Sequence, residues 1–165
     1  MAKPQKKKKG AEDANRIVAQ NRAASHDYIF LDKYEAGMEL VGSEVKALRG
    51  GQASMREAYG EMRRGELWLE RCHIPAYTAA GFFGHDPLRP KKLLLHRREL
   101  DKLSAQVQQK GLTIIPLKIY FRDGRAKCEI ALAKGRKEYD RRAEARDREA
   151  KREASEAMYH HRRRG

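Results

Sequence analysis

The sequence predicts a mainly β fold: a small closed antiparallel barrel with inserted helices, flanked by two basic ends that carry no core of their own. Three observations predict it. Leu117, Ile119 and Phe121 alternate with Lys118 and Tyr120, Asp123-Gly124 turns the chain, and Cys128, Ile130 and Leu132 alternate with Lys127 and Glu129. That is a β-hairpin with one buried and one wet face. The strand-like segments are five or six and short, too small for two large stacked sheets, and closing them into a barrel removes their exposed edges. The last 31 residues, 135–165, contain no Leu, Ile, Val or Phe, so they have no apolar stripe to dock on a core.

Taken in order, residues 1–20 read as a disordered basic arm, rich in Lys and poor in apolar residues. Order is expected from Asn21. Tyr28 to Val41 favours strand, and Gly37 suggests a bend or bulge within it. Ser43 reads as the N-cap of a short helix in which Val45 and Leu48 sit three apart, stopped by Gly50-Gly51. Ala58 to Met62 and Glu66 to Ile74 form two strands joined by a turn at Arg64-Gly65. Pro75 to Pro90 is a loop holding Tyr77, Phe82 and Phe83, which either covers an open end of the barrel or offers stacking surfaces. Leu93-Leu94-Leu95 leads into a helix marked by Leu100, Leu103 and Val107. His96 stands at its cap, Glu99 lies three residues on, and Gly111 ends it. The hairpin follows. The pattern suits a barrel of the oligonucleotide-binding type over residues 21–134, with residues 135–165 as a tail.

The chain of 165 residues carries a formal charge of +14. Residues 1–22 contribute +5, residues 23–134 another +5 and the tail +4. Two basic arms on a basic body suit a polyanion, because each neutralised phosphate releases counterions. No apolar run approaches the ~20 residues that cross a bilayer. The N-terminal lysines precede no apolar stretch of a secretory signal, so a cytoplasmic protein is expected. Cys72 and Cys128 make no disulfide framework.

The residues argue against an enzyme. Cys72 and His73 are neighbours, and neighbours on a strand face opposite sides, so they cannot pair as nucleophile and base. There is no metal-ligand spacing, no phosphate-cradling Gly-rich loop, and neither a metal nor a cofactor is expected. Lys91, Lys92, Lys118, Lys127, Lys134 and Lys137, with Arg97, Arg98, Arg122, Arg125 and Arg136, are candidates for one positive surface, Lys118 and Lys127 on the wet face of the hairpin. In the tail, Glu138 and Arg142, Glu144 and Arg148, Asp147 and Lys151, and Arg152 and Glu156 are spaced i, i+4. Each such pair adds ~0.2–0.5 kcal/mol to an isolated helix, which is marginal. The tail is therefore expected to be disordered alone and helical when a charged groove surrounds it.

Several segments together carry a resemblance. They are Asn21-Arg22-Ala23 with His26-Asp27-Tyr28, Tyr34-Glu35-Ala36-Gly37, and Gly42 through Arg49. Asp86 through Leu95 continues to Glu99-Leu100, and Ala133 through Lys137 precedes Asp140-Arg141-Arg142. In this order the chain resembles the SsrA-binding protein (small protein B) family of bacterial trans-translation. The resemblance implies an oligonucleotide-binding barrel that holds the tRNA-like domain of transfer-messenger RNA and takes it to stalled ribosomes. Elongation factor Tu would arrive with the alanylated RNA, and the protein would be a monomeric adaptor without membrane attachment. It places Asn21, Arg22, Glu35, Glu44, Lys46, Arg49, Lys92, Leu94 and His96 near the RNA, some of them as supports of the fold. It implies that the tail enters the empty mRNA channel at the decoding centre of the small subunit. Lys134, Gly135, Arg136, Lys137, Asp140, Arg141 and Arg142 would supply its electrostatic part, Tyr139 a stacking ring, and Met158 with Tyr159 an apolar anchor. The sequence departs from the family pattern at Tyr139, usually His, at His96, often Asn, and at Ser25, often basic. The rival reading is a ribosomal or assembly protein that holds ribosomal RNA through the same barrel.

Overall fold

The structure, a computed structural model, describes residues 16–77, 84–108 and 111–163, without the side chains of Glu138 and Tyr139. The strands are β1 (Ile17–Gln20), β2 (Tyr28–Glu39), β3 (Tyr59–Arg63), β4 (Glu66–Glu70), β5 (Lys91–Leu94), β6 (Leu112–Arg122) and β7 (Arg125–Gly135). The helices are α1 (Ala24–Asp27), α2 (Gly42–Arg49), α3 (Arg97–Val107) and α4 (Arg136–Arg163). Six strands close a ring in the order β2, β5, β4, β3, β6, β7 and back to β2, all antiparallel. Closure leaves no free edge inside the ring. β1 adds to β6 outside it, pairing Ile17 with Tyr120 and Gln20 with Lys118. Residues 17–20, expected in the arm, are therefore part of the sheet: Ile17 and Val18 supply a β-branched pair, and β6 extends past its contact with β3. The expectations for residues 1–15, and for Phe82 and Phe83, lie outside the described residues.

The 112–135 hairpin is present, turning on Asp123 and Gly124 with φ of 51° and 76°. Cys128, Ile130 and Leu132 point inward as expected, together with Ile119 and Phe121. Leu117 does not. A bulge between Pro116 and Lys118 inserts it as an extra residue, so the strand changes face there. Leu117 packs instead on the outer wall with Ala24, Ile115, Ala133, Tyr28, Phe30 and Tyr59. In β2 the bulge lies between Phe30 and Asp32, not at Gly37. Gly37 instead sits between two neighbours, paired with Leu94 on one side and Lys127 on the other. The Leu93-Leu94 run is strand β5, with Leu93 inward and Leu94 out.

α2 starts without help from Ser43. Val41 is its N-cap, and the Glu44 carboxylate accepts the Val41 N–H at 3.0 Å. The Ser43 hydroxyl serves His85 Nδ1 at 2.8 Å, while His85 Nε2 meets the Ile74 carbonyl at 2.8 Å. A carbonyl only accepts, so His85 donates to it from Nε2. At α3 the Glu99 carboxylate accepts the His96 N–H at 3.2 Å, so the Glu99 half of the expected cap is formed.

The ring is narrowest between β3 and β6, whose ladder is the single pair Gly60 and Ile114. A Cβ on Gly60 would lie 2.6 Å from Ile114 Cγ2 and 2.8 Å from its Cβ. Both atoms are fully buried and branch at the backbone, so neither can swing away. Gly60→Ala is expected to cost about 1–3 kcal/mol as overpacking, read as a lower midpoint in denaturant unfolding. An unchanged midpoint would mean that the seam is looser than it stands.

Candidate nucleic-acid interface

The exposed chemistry gathers in three places. The first is a hollow of about 590 Å³ formed by the far end of β2, the β5–α3 corner and the β6–β7 turn. Glu35, Leu94, His96 and Lys127 line it, with Gly37 forming part of the floor. Leu94 is 48% exposed, a large apolar side chain on open surface, as a base-stacking contact requires and a core residue does not. The Glu35 carboxylate accepts from the Tyr120 hydroxyl and from Arg122 Nη1 at 3.0 and 3.1 Å. The Tyr120 hydrogen bond is the main reason its pKa is lowered, with Arg122 and Lys127 adding to it. Tyr120 and Arg122 were legible as wet-face residues, since they share the parity of Lys118. Their convergence on Glu35 was not, because the register of β2 against the hairpin is a tertiary fact.

Glu35 thus holds a guanidinium in place at the rim of the hollow. Its pair with Arg122 is partly exposed, so Glu35→Gln should change stability by less than about 1 kcal/mol. Affinity for RNA should fall about tenfold, because Arg122 is then no longer fixed. The carboxylate has a lowered pKa, so this difference from the parent should persist below the ordinary carboxylate value of 4.5. It should vanish as pH falls through that lowered value. Gel-shift titrations across acid pH check both statements.

The second place surrounds α1. Asn21, Arg22 and Lys118 line a shallow hollow with His26, Lys33 and Phe30. Asn21 spends its amide on the fold, donating to the Pro116 and Met55 carbonyls at 3.1 and 3.5 Å. Arg22 is exposed, and Lys118 is tied to Glu129 at 3.0 Å. The third place is α2 with its neighbours. Lys46 stands 5.5 Å from the centre of the Tyr77 ring, and Arg49 is exposed, its carbonyl accepting from Arg16 at 2.6 Å. Outside these three places, on β5, Lys92 reaches Glu66 of β4 at 2.9 Å.

Two expected contact residues are inside the protein. Glu44 and Lys91 are both fully buried, so neither reaches RNA. The Lys91 ammonium donates to the Cys72 and Arg89 carbonyls at 2.7 and 2.9 Å and lies 3.7 Å from Glu44. Glu44 is held by Arg89 at 2.5 and 3.1 Å. Burial lowers the Lys91 pKa. These residues join α2 to the loop before β5 and support the exposed side chains beside them.

The tail is one continuous helix, α4, and every described residue from Asp140 to Arg163 is exposed. At ~1.5 Å per residue its 28 residues span roughly 42 Å. Its root is fixed: Lys134 and Gly135 are in the sheet, and Arg136 donates to the Ser25 carbonyl at 3.2 Å. Lys137, Asp140, Arg141 and Arg142 follow on the exposed first turns. The Tyr139 side chain lies outside the described residues. Glu144 and Arg148 close at 4.0 Å and Arg152 and Glu156 at 3.9 Å. Met158 and Tyr159 are 73% and 60% exposed, with Arg163 over the Tyr159 ring.

Elsewhere the thiols are core groups: burial pushes Cys72 up to about 11 and raises Cys128 further. His73 is exposed while Cys72 is buried, on opposite sides as expected. Among the described residues no group of three His, Cys, Asp or Glu could hold a metal ion. Among them, too, no helix is long and apolar enough to cross a membrane.

A family model described as "SmpB protein" matches residues 18–160. The chain is 50% identical over 158 residues to the SsrA-binding protein of Thermobifida fusca, covering 96% of this chain and 98% of that one. It is 53% identical over 148 residues to the SsrA-binding protein of Bifidobacterium adolescentis, covering 89% and 93%. Among solved structures, a chain from one described as "tmRNA-SmpB: a journey to the center of the bacterial ribosome" is similar with a TM-score of 0.61 at 46% identity. That likeness covers 72% of this chain and 83% of the other. Matched in sequence over nearly its whole length and in fold over most of it, the chain belongs to the SmpB family of SsrA-binding proteins.

Proposed function

We propose that the chain is an RNA-binding adaptor of trans-translation, gripping the tRNA-like domain of transfer-messenger RNA with its barrel and entering the ribosome with α4. One observation carries the division of labour. Glu35 at the hollow and Tyr28, which pairs with Gly135 at the root of α4, are both on β2, seven residues apart, which is roughly 23 Å at ~3.3 Å per residue. One rigid strand can thus hold two partners at a fixed distance. The RNA-contact residues in this reading are Asn21, Arg22, Glu35, Lys46, Arg49, Lys92, Leu94, His96, Lys118 and Lys127, with Arg122 added to them.

The tail reading rests on charge and shape. An mRNA channel is lined by phosphates, and a slender basic helix fills it only where no mRNA blocks the way. Arg136, Lys137, Arg141 and Arg142 supply cations at the decoding centre, Tyr139 a ring for stacking, and Met158 with Tyr159 an apolar end deep in the channel. The protein acts as a cytoplasmic monomer without catalysis, and elongation factor Tu meets it through the shared alanylated RNA.

Nuclease protection on full-length transfer-messenger RNA tests the barrel's part. Protection confined to the tRNA-like domain is expected. Equal protection of unrelated structured RNA would favour a ribosomal-RNA protein instead.

A further inference from the structure

The N-terminal lysines have no part in the interface built so far, yet the strand that follows them fixes where they join the barrel. Residues 1–15 carry Lys3 and the run Lys6-Lys7-Lys8-Lys9 against Glu12 and Asp13, a net of 5 − 2 = +3. β1 is antiparallel to β6, with Gln20 opposite Lys118 and Ile17 opposite Tyr120. Followed backward, the chain therefore advances along β6 toward the turn at Asp123-Gly124. Arg16 takes it one step further, its carbonyl accepting the Phe121 N–H at 2.8 Å. The Arg16 guanidinium donates to the Arg49 carbonyl at 2.6 Å, at the C-terminal end of α2, where the helix dipole favours a cation.

This junction lies at one end of the barrel. Tyr120, opposite Ile17, gives its hydroxyl to Glu35, and Phe121 and Gly124 line the Glu35 hollow. Arg49 flanks the junction on its other side, with Lys46 one turn back on α2. α4 starts from the opposite end. Arg125 and Gly135 are ten residues apart on β7, roughly 33 Å at ~3.3 Å per residue. The two basic ends of the chain are thus attached at opposite ends of the barrel. Lys9 is seven residues from Arg16, which keeps it within about 25 Å of the junction even at ~3.6 Å per residue.

Charge is what this end lacks. Of the cations assigned to RNA, Lys92, Lys118 and Arg122 already face Glu66, Glu129 and Glu35 at 2.9, 3.0 and 3.0 Å. Much of their field is answered inside the protein. Four successive ammonium groups close to the same hollow restore it, and each phosphate they neutralise releases counterions.

We propose that the Lys6 to Lys9 run binds the phosphodiester backbone of the RNA that occupies the Glu35 hollow. The N-terminal arm then serves the partner of the barrel, while α4 serves the ribosome. The proposal rests on the adaptor reading. Backbone contacts of this kind position an RNA and add affinity without reading its sequence.

The test uses the full chain with Lys6→Gln, Lys7→Gln, Lys8→Gln and Lys9→Gln combined, and circular dichroism checks that the barrel is intact. Affinity for the isolated tRNA-like domain is expected to weaken about tenfold near ~0.15 M salt. The slope of log affinity against log salt should shrink by about 3, the loss of four contacts at ~0.7–0.9 each. Binding to small ribosomal subunits free of mRNA should stay within about twofold. Arginine at the same four positions should restore the affinity for the tRNA-like domain, since the charge is retained. Unchanged affinity and slope overturn the proposal. So does a loss confined to the subunits, which would assign the arm to ribosomal RNA, and so does an equal loss on both. A parent protein that does not prefer the tRNA-like domain sinks the adaptor reading and this proposal with it. A parent that does, beside an unaffected variant, sinks the proposal alone.

Discussion

Removing residues 136–165 is expected to leave affinity for the tRNA-like RNA within about threefold while rescue of stalled ribosomes falls to background. The described helix touches the body only at its root, where Arg136 meets the Ser25 carbonyl. Among the described residues no side chain of the helix belongs to the core clusters of the barrel, so the remaining protein should keep its unfolding midpoint. The tail does carry a net +4, and at low salt it will add unspecific attraction for any RNA. The comparison therefore belongs near ~0.15 M salt, where that attraction is screened beyond ~8 Å. A tenfold loss of RNA affinity there would place the tail on the same RNA as the barrel. The isolated segment tests the companion statement. Its ion pairs, such as Glu144 with Arg148, supply only ~0.2–0.5 kcal/mol each. A peptide of residues 136–165 should show little helix by circular dichroism in buffer and more when a polyanion is added.

How far the sequence could be read depends on which physical signal each element leaves. The 112–135 hairpin left two, alternation and a turn dipeptide with positive φ, and both are present. The bulge at Leu117 left none, because an inserted residue changes the parity of a strand without changing its composition. Strand β1 was hidden for a different reason. Four residues next to a Lys-rich arm carry too little apolar surface to be read as strand without knowing that β6 offers them an edge. At the candidate site, Glu35, Leu94, His96 and Lys127 were named from sequence and share one hollow. Arg122 was not placed beside Glu35, since the pairing depends on how β2 and β6 come to lie on either side of β7. Lys91 and Lys92 show the limit most clearly. Parity makes one of two adjacent strand residues point inward, yet charge argues that neither does. Only the carbonyls of Cys72 and Arg89, brought together by the loops, make the buried ammonium tolerable.

That buried ammonium leads to the largest expected change in stability. Glu44→Gln is expected to destabilise the protein by about 3–5 kcal/mol, because it leaves the charges of Lys91 and Arg89 in the interior without their anion. The amide keeps the size of the side chain and can still accept the Val41 N–H, so the loss is one of charge and not of packing. Arg89 is about one-third exposed and can turn toward water, whereas Lys91 is fully buried and cannot. Lys91 should therefore account for most of the cost. Lys91→Met alone removes the charge but strands the Cys72 and Arg89 carbonyls, at about 1–3 kcal/mol for each buried group left unpaired. In the double variant the amide no longer faces an uncompensated ammonium, so the two losses should fall short of their sum by at least about 1 kcal/mol. Denaturant unfolding of the four proteins measures this directly. Strict additivity would show that Glu44 and Lys91 do not sense each other across 3.7 Å, and that the Glu44–Arg89 pair alone holds α2 to the loop before β5.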